Sequence, residues 1–148
     1  MIDYKTKEEI EIMKHGGHIL ATALAEVMDA IKPGVTEIEM DKLAERRIRE
    51  VGGEPGFMKV EGYHHTICVS TNDVVVHGIP TDYAFKAGDV VGIDCGVFYK
   101  GFHTDMSETK IVSEVKTSTV AKAMADKQNS KLKTKNLEVE KFLKNGKK

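Results

Sequence analysis

The sequence predicts an α/β fold of the α+β type, in which two amphipathic helices cover one face of an antiparallel sheet. Helix signals occupy residues 6–51, where two capping boxes each precede an apolar stripe with helical spacing. Strand signals follow residue 54, and the clearest is a hairpin pattern between residues 90 and 109. We expect the helices to pack on one face of the sheet and the acids of the hairpin to lie on the other.

The two helices are predicted from their start and stop signals. The first runs over residues 6–31 and ends at the Lys-Pro-Gly sequence of residues 32–34. The second runs over residues 36–51 and ends at the glycine pair of residues 52–53. Each opens with a Thr-x-x-Glu capping box. The apolar stripe of the second helix consists of Met40, Leu43, Ala44, Ile48 and Val51.

Short strands are predicted after the second helix. Residues 66–70 have the composition of a short strand, residues 71–73 carry turn residues, and residues 74–76 are three valines. The valines predict a second apolar strand that leads into His77. A histidine there, beside a glycine, can approach a substrate closely, although a hydrogen-bonded structural role is an equal alternative.

The hairpin brings two acids, Asp94 and Asp105, onto one face. Lys100-Gly101 supplies a two-residue turn between two strands rich in Val, Ile and Phe. If Tyr99 pairs with Phe102, the acids are diagonal neighbours at roughly 7–8 Å or less. A turn shifted by one residue would make them direct partners.

Like charges on a face with apolar neighbours are destabilising unless a proton or a cation lies between them. Carboxylate oxygens are usual ligands of hard divalent ions. The acid pair therefore predicts a metal site. The alternative is a pair of solvated acids on an exposed sheet face, which is common in antiparallel sheets.

Charge is balanced overall but unevenly distributed. The chain has 22 basic and 23 acidic residues, which gives no argument for nucleic-acid or membrane binding as a whole. Residues 1–114 have a net charge of −8, whereas residues 115–148 have a net charge of +7. The acidic part suits cation binding. The basic segment suits either a solvated helix and linker or an anionic partner.

The two cysteines, Cys68 and Cys95, lie in separate apolar runs and have no CxxC partner. This arrangement predicts reduced, buried thiols in a cytoplasmic protein. The N-terminus has no apolar signal-peptide region, and no segment approaches 18 apolar residues, so we expect neither secretion nor a membrane span.

Several motifs around the hairpin resemble the type I methionine aminopeptidases, in the same order and at the same spacing, over about residues 1–112. The resemblance implies the "pita-bread" fold. The matching motifs are Gly62-Tyr63, Ile67-Cys68-Val69-Ser70-Thr71-Asn72-Asp73, Val76-His77-Gly78-Ile79-Pro80, Gly88-Asp89-Val90-Val91-Gly92-Ile93-Asp94 and Gly101-Phe102-His103-Thr104-Asp105.

The resemblance also implies an activity and a metal centre. Members of this family remove the initiator methionine from nascent proteins with two divalent ions, which are Co, Mn, Fe or Zn. Five side chains bind the ions: two aspartates that match Asp94 and Asp105, and a His and two Glu from the second half of the fold. We expect residues 1–112 to be the first half, residues 113–135 a lysine-rich linker or insertion, and residues 136–148 the truncated start of the helix that opens the second half. Weak or absent metal binding and an inactive half-domain are the corresponding expectations.

The remaining site residues follow from the same resemblance. Phe57, Tyr63 and Cys68 match the pocket for the methionine side chain, and an apolar, polarisable enclosure suits a thioether. His77 matches a histidine that contacts the substrate amide and stabilises the tetrahedral intermediate. His103, on the same strand face as Asp105, is a tempting third ligand by spacing. The family pattern argues against this and implies a residue that either orients the ligands or packs beside them.

The sequence departs from the commonest bacterial pattern at two positions, and two other functions are alternatives to this interpretation. Val60 and Gly96 stand where an aromatic residue and a threonine are commoner in bacterial members. The chain could instead be a non-catalytic binding module that contacts ribosomal RNA through its basic segment, or a proline-specific relative with the same fold. No membrane or DNA partner is expected. We also expect an apolar surface at Ala84-Phe85 and Val97-Phe98, because a half-fold lacks its docking partner.

Overall fold

The computed structural model describes residues 4–113. Two helices come first, α1 (Lys7–Ala30) and α2 (Glu37–Glu50). A two-residue strand β1 (Glu54–Pro55) and a short 3₁₀ turn (Phe57–Lys59) follow. The sheet is completed by β2 (Ile67–Thr71) and by the hairpin of β3 (Val90–Tyr99) and β4 (Phe102–Ile111). The predicted linker beyond Ser113 and the predicted helix of residues 136–148 lie outside the described residues.

Both predicted capping boxes are present. In α1 the Thr6 hydroxyl accepts from the Glu9 N–H at 3.2 Å, and the Glu9 carboxylate accepts from the Thr6 N–H at 2.7 Å. Thr36 and Glu39 repeat the same exchange at the start of α2. These bonds satisfy amides that a helix start leaves without partners, so local sequence fixes where each helix begins.

The sheet is antiparallel and is built around β3. One edge of β3 pairs with β1 and β2, and the other edge pairs with β4 along all ten of its residues. Lys110 on β4 donates through Nζ to the Met28 carbonyl at 2.6 Å, a contact between residues 82 positions apart. A lysine at the end of α1 is favourable because the helix C-terminus is partly negative, and α1 has no basic residue in its own last turn.

The core lies between the helices and one face of the sheet. Val91, Ile93, Cys95 and Val97 alternate along β3 and are at most 1% exposed. Ile67 and Val69 of β2 join them, and α1 and α2 cover this face with their apolar stripes. The even-numbered residues of β3, Asp94 among them, therefore point to the opposite face.

Some sequence expectations are wrong. Residues 74–76 do not form a strand, and Val75 and Val76 are 88% and 65% exposed. Phe85 and Val97 are buried rather than exposed, because both pack in the core beneath the helices. Val51 is 54% exposed although it was expected in the stripe of α2, because the helix ends at the preceding residue.

Candidate metal and substrate site

The hairpin register brings the two acids together. Tyr99 pairs with Phe102, as the first of the two expected registers requires. Asp94 lies opposite Ser107 and Asp105 opposite Gly96, so the acids are diagonal neighbours on the face away from the helices. The register depends on the turn, where Lys100 and Gly101 both have positive φ angles of 45° and 92°. Such angles are typical of a type I′ hairpin turn.

This arrangement shifts the pKa of Asp94. Burial raises the pKa of its carboxyl above the usual range, and the nearby charge of Asp105 and a hydrogen bond between the two carboxyls raise it further. His77 and the backbone N–H of Cys95 act in the opposite direction. A carboxyl pair in this state is stabilised by a shared proton or by a bound cation.

A cleft of about 470 Å³ lies beside the acids. Six of the seven site residues predicted from the sequence line this cleft, and Val60 and Ile79 line it as well. The lining residues are Phe57, Val60, Tyr63, Cys68, His77, Ile79, Asp94 and Asp105. Ile79 was missed, although its place two residues after His77 in the same motif was a usable signal.

Phe57 forms one wall of the cleft by packing on Gly96. A Cβ atom on Gly96 would lie 2.7 Å from the Phe57 ring, closer than carbon atoms approach. The neighbouring Gly56 donates from its N–H to the Gly96 carbonyl at 2.8 Å. The absence of a side chain at position 96 therefore allows the Phe57 ring to reach the acid-bearing face of β3. This is a physical reason for the departure from threonine.

Tyr63 and Cys68 form a neutral wall of the cleft. The Tyr63 hydroxyl donates to the Ile67 carbonyl at 2.7 Å and lies 3.3 Å from the Cys68 sulfur. Burial, followed by the contact with Cys68, raises the pKa of Tyr63 well above its usual range, and burial raises the pKa of the Cys68 thiol. Both groups stay protonated at neutral pH. The wall thus offers polarisable sulfur and an aromatic ring without charge, which suits an apolar or thioether side chain.

His77 reaches the cleft from an irregular loop, not from the end of a strand. Its φ angle is 54°, which is uncommon for a residue with a side chain. The next residue, Gly78, contacts β2: its carbonyl accepts from the Val69 N–H at 2.8 Å. A Cβ atom on Gly78 would lie 1.9 Å from the Val69 carbonyl oxygen, so only glycine fits. This contact holds the histidine beside the sheet.

His103 lies outside the residues that line the cleft. It is exposed on the same face of β4 as Asp105, and its ring packs 4.8 Å from the Phe98 ring across the hairpin. A role in orienting the metal ligands therefore stays a prediction.

Residues 4–113 contain no group of three or more His, Cys, Asp or Glu side chains placed to hold a metal ion together. The donor set on this part of the chain is the pair of carboxylates, Asp94 and Asp105. Two hard, negatively charged oxygen donors on one face suit a divalent cation but satisfy only part of its coordination shell. The described residues therefore fit one side of a metal site.

Two buried carboxylates on α2 were missed by the sequence analysis. Asp41, 7% exposed, accepts from the N–H groups of Thr66 and Ile67 at 2.7 and 3.1 Å and lies 3.1 Å from His65 Nδ1. Glu37 is 5% exposed. The signal was their spacing, four residues apart on the side of the helix that carries the apolar stripe. Asp41 fixes the start of β2, and thereby the position of Cys68.

The structure also bears on the expectations for the cysteines and for membrane-spanning segments. Both cysteines are free and buried. Among the described residues, no helix is long and apolar enough to cross a membrane.

Comparisons with known proteins agree on one family. The model of metallopeptidase family M24 matches residues 11–135. Over 109 residues the chain is 40% identical to a methionine aminopeptidase of Clostridium perfringens. The aligned segment covers 74% of this chain and 44% of the relative. The crystal structure of methionine aminopeptidase from Thermotoga maritima superposes with a TM-score of 0.74 at 41% identity, over 77% of this chain and 46% of that one.

The fold is also shared by a more distant enzyme. The Xaa-Pro dipeptidase from Bacillus anthracis superposes with a TM-score of 0.64 at 30% identity, over 74% of this chain and 30% of that one. The chain thus spans less than half the length of the curated relative and of both solved structures.

Proposed function

Because this chain belongs to metallopeptidase family M24, we propose that it carries the methionine-binding cleft and two metal-binding carboxylates of an aminopeptidase that removes N-terminal methionine. The resemblance seen in the sequence motifs and the pita-bread α/β fold are both confirmed by the relatives. The observation that carries the proposal is the convergence of the acid pair, His77 and the apolar residues on a single cleft.

Membership of the family implies the use of a divalent metal ion. We assign its binding to Asp94 and Asp105, which would hold it on the face of the hairpin opposite the helices. When bound, such an ion lowers the pKa of water and polarises the scissile carbonyl. The resemblance implies two ions, Co, Mn, Fe or Zn, and three further ligands, a His and two Glu, from the half of the fold that the chain does not match.

The remaining residues of the cleft would bind and orient the substrate. Phe57, Tyr63 and Cys68 would enclose the methionine side chain, because their surfaces are neutral and polarisable. The free amine at the peptide's N-terminus would lie beside the acid pair, where a bound ion would take it, in its neutral form, as a ligand. His77 would donate a hydrogen bond to the carbonyl oxygen as negative charge develops there.

Metal binding is the first test of the assignment. Calorimetric titration with Mn²⁺ should give weak binding to the unmodified chain, and Asp94→Asn and Asp105→Asn should each abolish it. Glu108→Gln is the matched control, because Glu108 lies on the same strand as Asp105 but faces the other way. Unchanged Mn²⁺ affinity in both aspartate variants would refute the assignment.

Activity is the second test. The chain alone should release no measurable methionine from a Met-Ala-Ser peptide with added Co²⁺ or Mn²⁺, because two carboxylates leave the ion short of ligands. The second half of a relative, supplied as a separate polypeptide, should restore turnover, and His77→Ala should lower kcat in that assembly by about 10²–10³-fold. Turnover by the chain alone in the usual range of roughly 1–10³ per second would contradict the proposal.

Two further parts of the proposal concern partners. The nascent peptide that begins with methionine is the proposed substrate. Contact between the basic segment, residues 115–148, and ribosomal RNA stays a prediction, because that segment lies outside the described residues.

A further inference from the structure

The loop that carries His77, residues 72–80, is held by few apolar contacts. Val75, Val76 and Ile79 are 88%, 65% and 60% exposed. The loop has no regular secondary structure, and between its ends it bonds to the sheet where the Val69 N–H donates to the carbonyl of Gly78, the seventh of its nine residues. Segments with so little burial open easily unless other contacts close them. The position of His77 must therefore depend on how the two ends of the loop are fixed.

Glu37, at the first position of α2, joins both ends of the loop. Its Oε1 atom accepts from the Thr71 hydroxyl at 2.7 Å, just before the loop. Its Oε2 atom accepts from the N–H and the hydroxyl of Thr81 at 3.0 and 2.8 Å, just after the loop. The Ile38 N–H donates to the Thr81 carbonyl at 3.1 Å and adds a backbone bond at the same point. One buried carboxylate thus bridges two segments ten residues apart.

Asp89, 8% exposed, makes a second bridge, from the first residue of the loop to the segment that follows the loop. Its Oδ1 atom accepts from the Asn72 side-chain amide at 3.0 Å, and its Oδ2 atom accepts from the Tyr83 hydroxyl at 2.9 Å and the Lys86 N–H at 2.8 Å. The Asn72 amide, followed by the Lys86 N–H, lowers the pKa of Asp89 below its usual value. The carboxylate is therefore bound in its charged form.

We propose that Glu37 and Asp89 are positioning residues for His77, which they hold at the cleft by closing the two ends of the 72–80 loop. Burying a carboxylate is unfavourable unless its oxygens are hydrogen-bonded, and nearly all the donors to these two carboxylates come from the ends of the loop or from residues beside them. Charge-assisted bonds are also about twice as strong as neutral ones. The catalytic meaning of this closure rests on the proposed function, but the closure itself does not.

Amide hydrogen exchange on the full chain tests the closure directly. The Val69 N–H reports on docking of the loop, because its partner is the Gly78 carbonyl, whereas amides shared between β3 and β4 report on unfolding of the whole sheet. We expect Glu37→Gln and Asp89→Asn each to speed Val69 exchange about threefold relative to the β3 and β4 amides. The double variant should speed it at least tenfold.

The ring of His77 gives a second readout that a purely structural role would not move. In the double variant its side-chain ¹³C relaxation should change from that of an ordered ring to that of a mobile one. Glu39→Gln is the matched control: Glu39 lies two residues from Glu37 and bonds to Thr36 rather than to the loop. It should leave both readouts as in the unmodified chain.

Other outcomes overturn the proposal. If Val69 exchange rises only in proportion to the β3 and β4 amides, the carboxylates stabilise the fold as a whole and do not position His77. An effect of equal size in Glu39→Gln has the same meaning. If the double variant does not fold, the single variants and Thr71→Val, which removes one donor to Glu37, decide in its place. No metal or substrate is used, so a failed aminopeptidase assay would reject the proposed function and leave this result standing.

Discussion

Replacing Asp105 with asparagine should stabilise the metal-free protein at neutral pH. The carboxyls of Asp94 and Asp105 lie within hydrogen-bonding reach, and at about 4 Å two charges repel by about 1 kcal/mol in water and about 4 kcal/mol at an effective dielectric constant of 20. Asp105 is exposed and Asp94 partly buried, so the lower part of this range applies. Asparagine keeps the shape and can donate to Asp94. We expect a gain of about 1–2 kcal/mol in the free energy of unfolding.

The direction of this change in the free energy of unfolding can be checked by its dependence on pH. The pKa of Asp94 is raised in the folded state, so the folded state binds a proton more tightly than the unfolded state. Stability is then greatest below the ordinary carboxyl pKa and falls as the pH rises through the raised value. The advantage of Asp105→Asn should therefore be present at pH 7.5 and nearly vanish at pH 4.

Urea unfolding at both pH values, with and without Mn²⁺, measures these effects. Mn²⁺ should stabilise the unmodified chain, since it binds only the folded state, and should not stabilise the variant. Glu108→Gln serves as the control on the other face of β4. If Asp105→Asn is less stable than the unmodified chain at pH 7.5 without metal, or if Mn²⁺ stabilises both proteins equally, the like-charge argument is refuted.

Three other predictions concern single positions. Gly78→Ala should lower the free energy of unfolding by about 1–3 kcal/mol in urea titrations, because a methyl group 1.9 Å from the Val69 carbonyl oxygen forces the loop off β2. Gly96→Thr should displace the ring of Phe57, cost about 1–3 kcal/mol, and shift the NMR signals of that ring. Asp89, whose pKa is lowered, contributes stability that is complete above about pH 4 and is lost as the pH falls through its folded-state value. Asp89→Asn should therefore flatten the loss of stability between about pH 4 and pH 2 in unfolding titrations.

A specific result would contradict each of these three predictions. Unchanged stability of Gly78→Ala would mean that the loop does not rest on β2 in solution. A Gly96→Thr protein with unshifted Phe57 signals would show that the ring is placed by other contacts. If Asp89→Asn loses stability in acid as steeply as the unmodified chain, other carboxylates account for the acid sensitivity.

Local signals in the sequence were sufficient to predict much of the fold. The capping boxes at Thr6 and Thr36 predicted both helix starts, because each box is complete within four residues. The turn at Lys100-Gly101 predicted the register in which Tyr99 pairs with Phe102, and this register makes Asp94 and Asp105 diagonal neighbours on one face. Both features are decided by residues close together in the chain, which is why they could be predicted.

Errors arose where distant contacts decide the structure. The valines at positions 74–76 have a strand pattern, but the close approach of Gly78 to Val69 and the left-handed turn at Asn72 leave them in an exposed loop. Val97 was expected to be exposed, yet it has the same parity as Ile93 on β3 and so faces the core. The spacing of Glu37 on the apolar side of α2 hinted at its burial, but its hydroxyl partners, Thr71 and Thr81, are remote in sequence and could not be predicted.

The hairpin has a consequence for the order of folding. Its turn joins Asp94 and Asp105 across only 11 residues of chain, whereas the bond from Lys110 to Met28 spans 82. Short hairpins close in roughly 1–10 μs, and contacts distant in sequence are slower because they need larger loops to close. The two acids are therefore brought together, and repel each other, before the distant contacts of the fold are made. A divalent ion or a proton that relieves this repulsion should raise the folding rate of the hairpin as well as the stability of the finished protein.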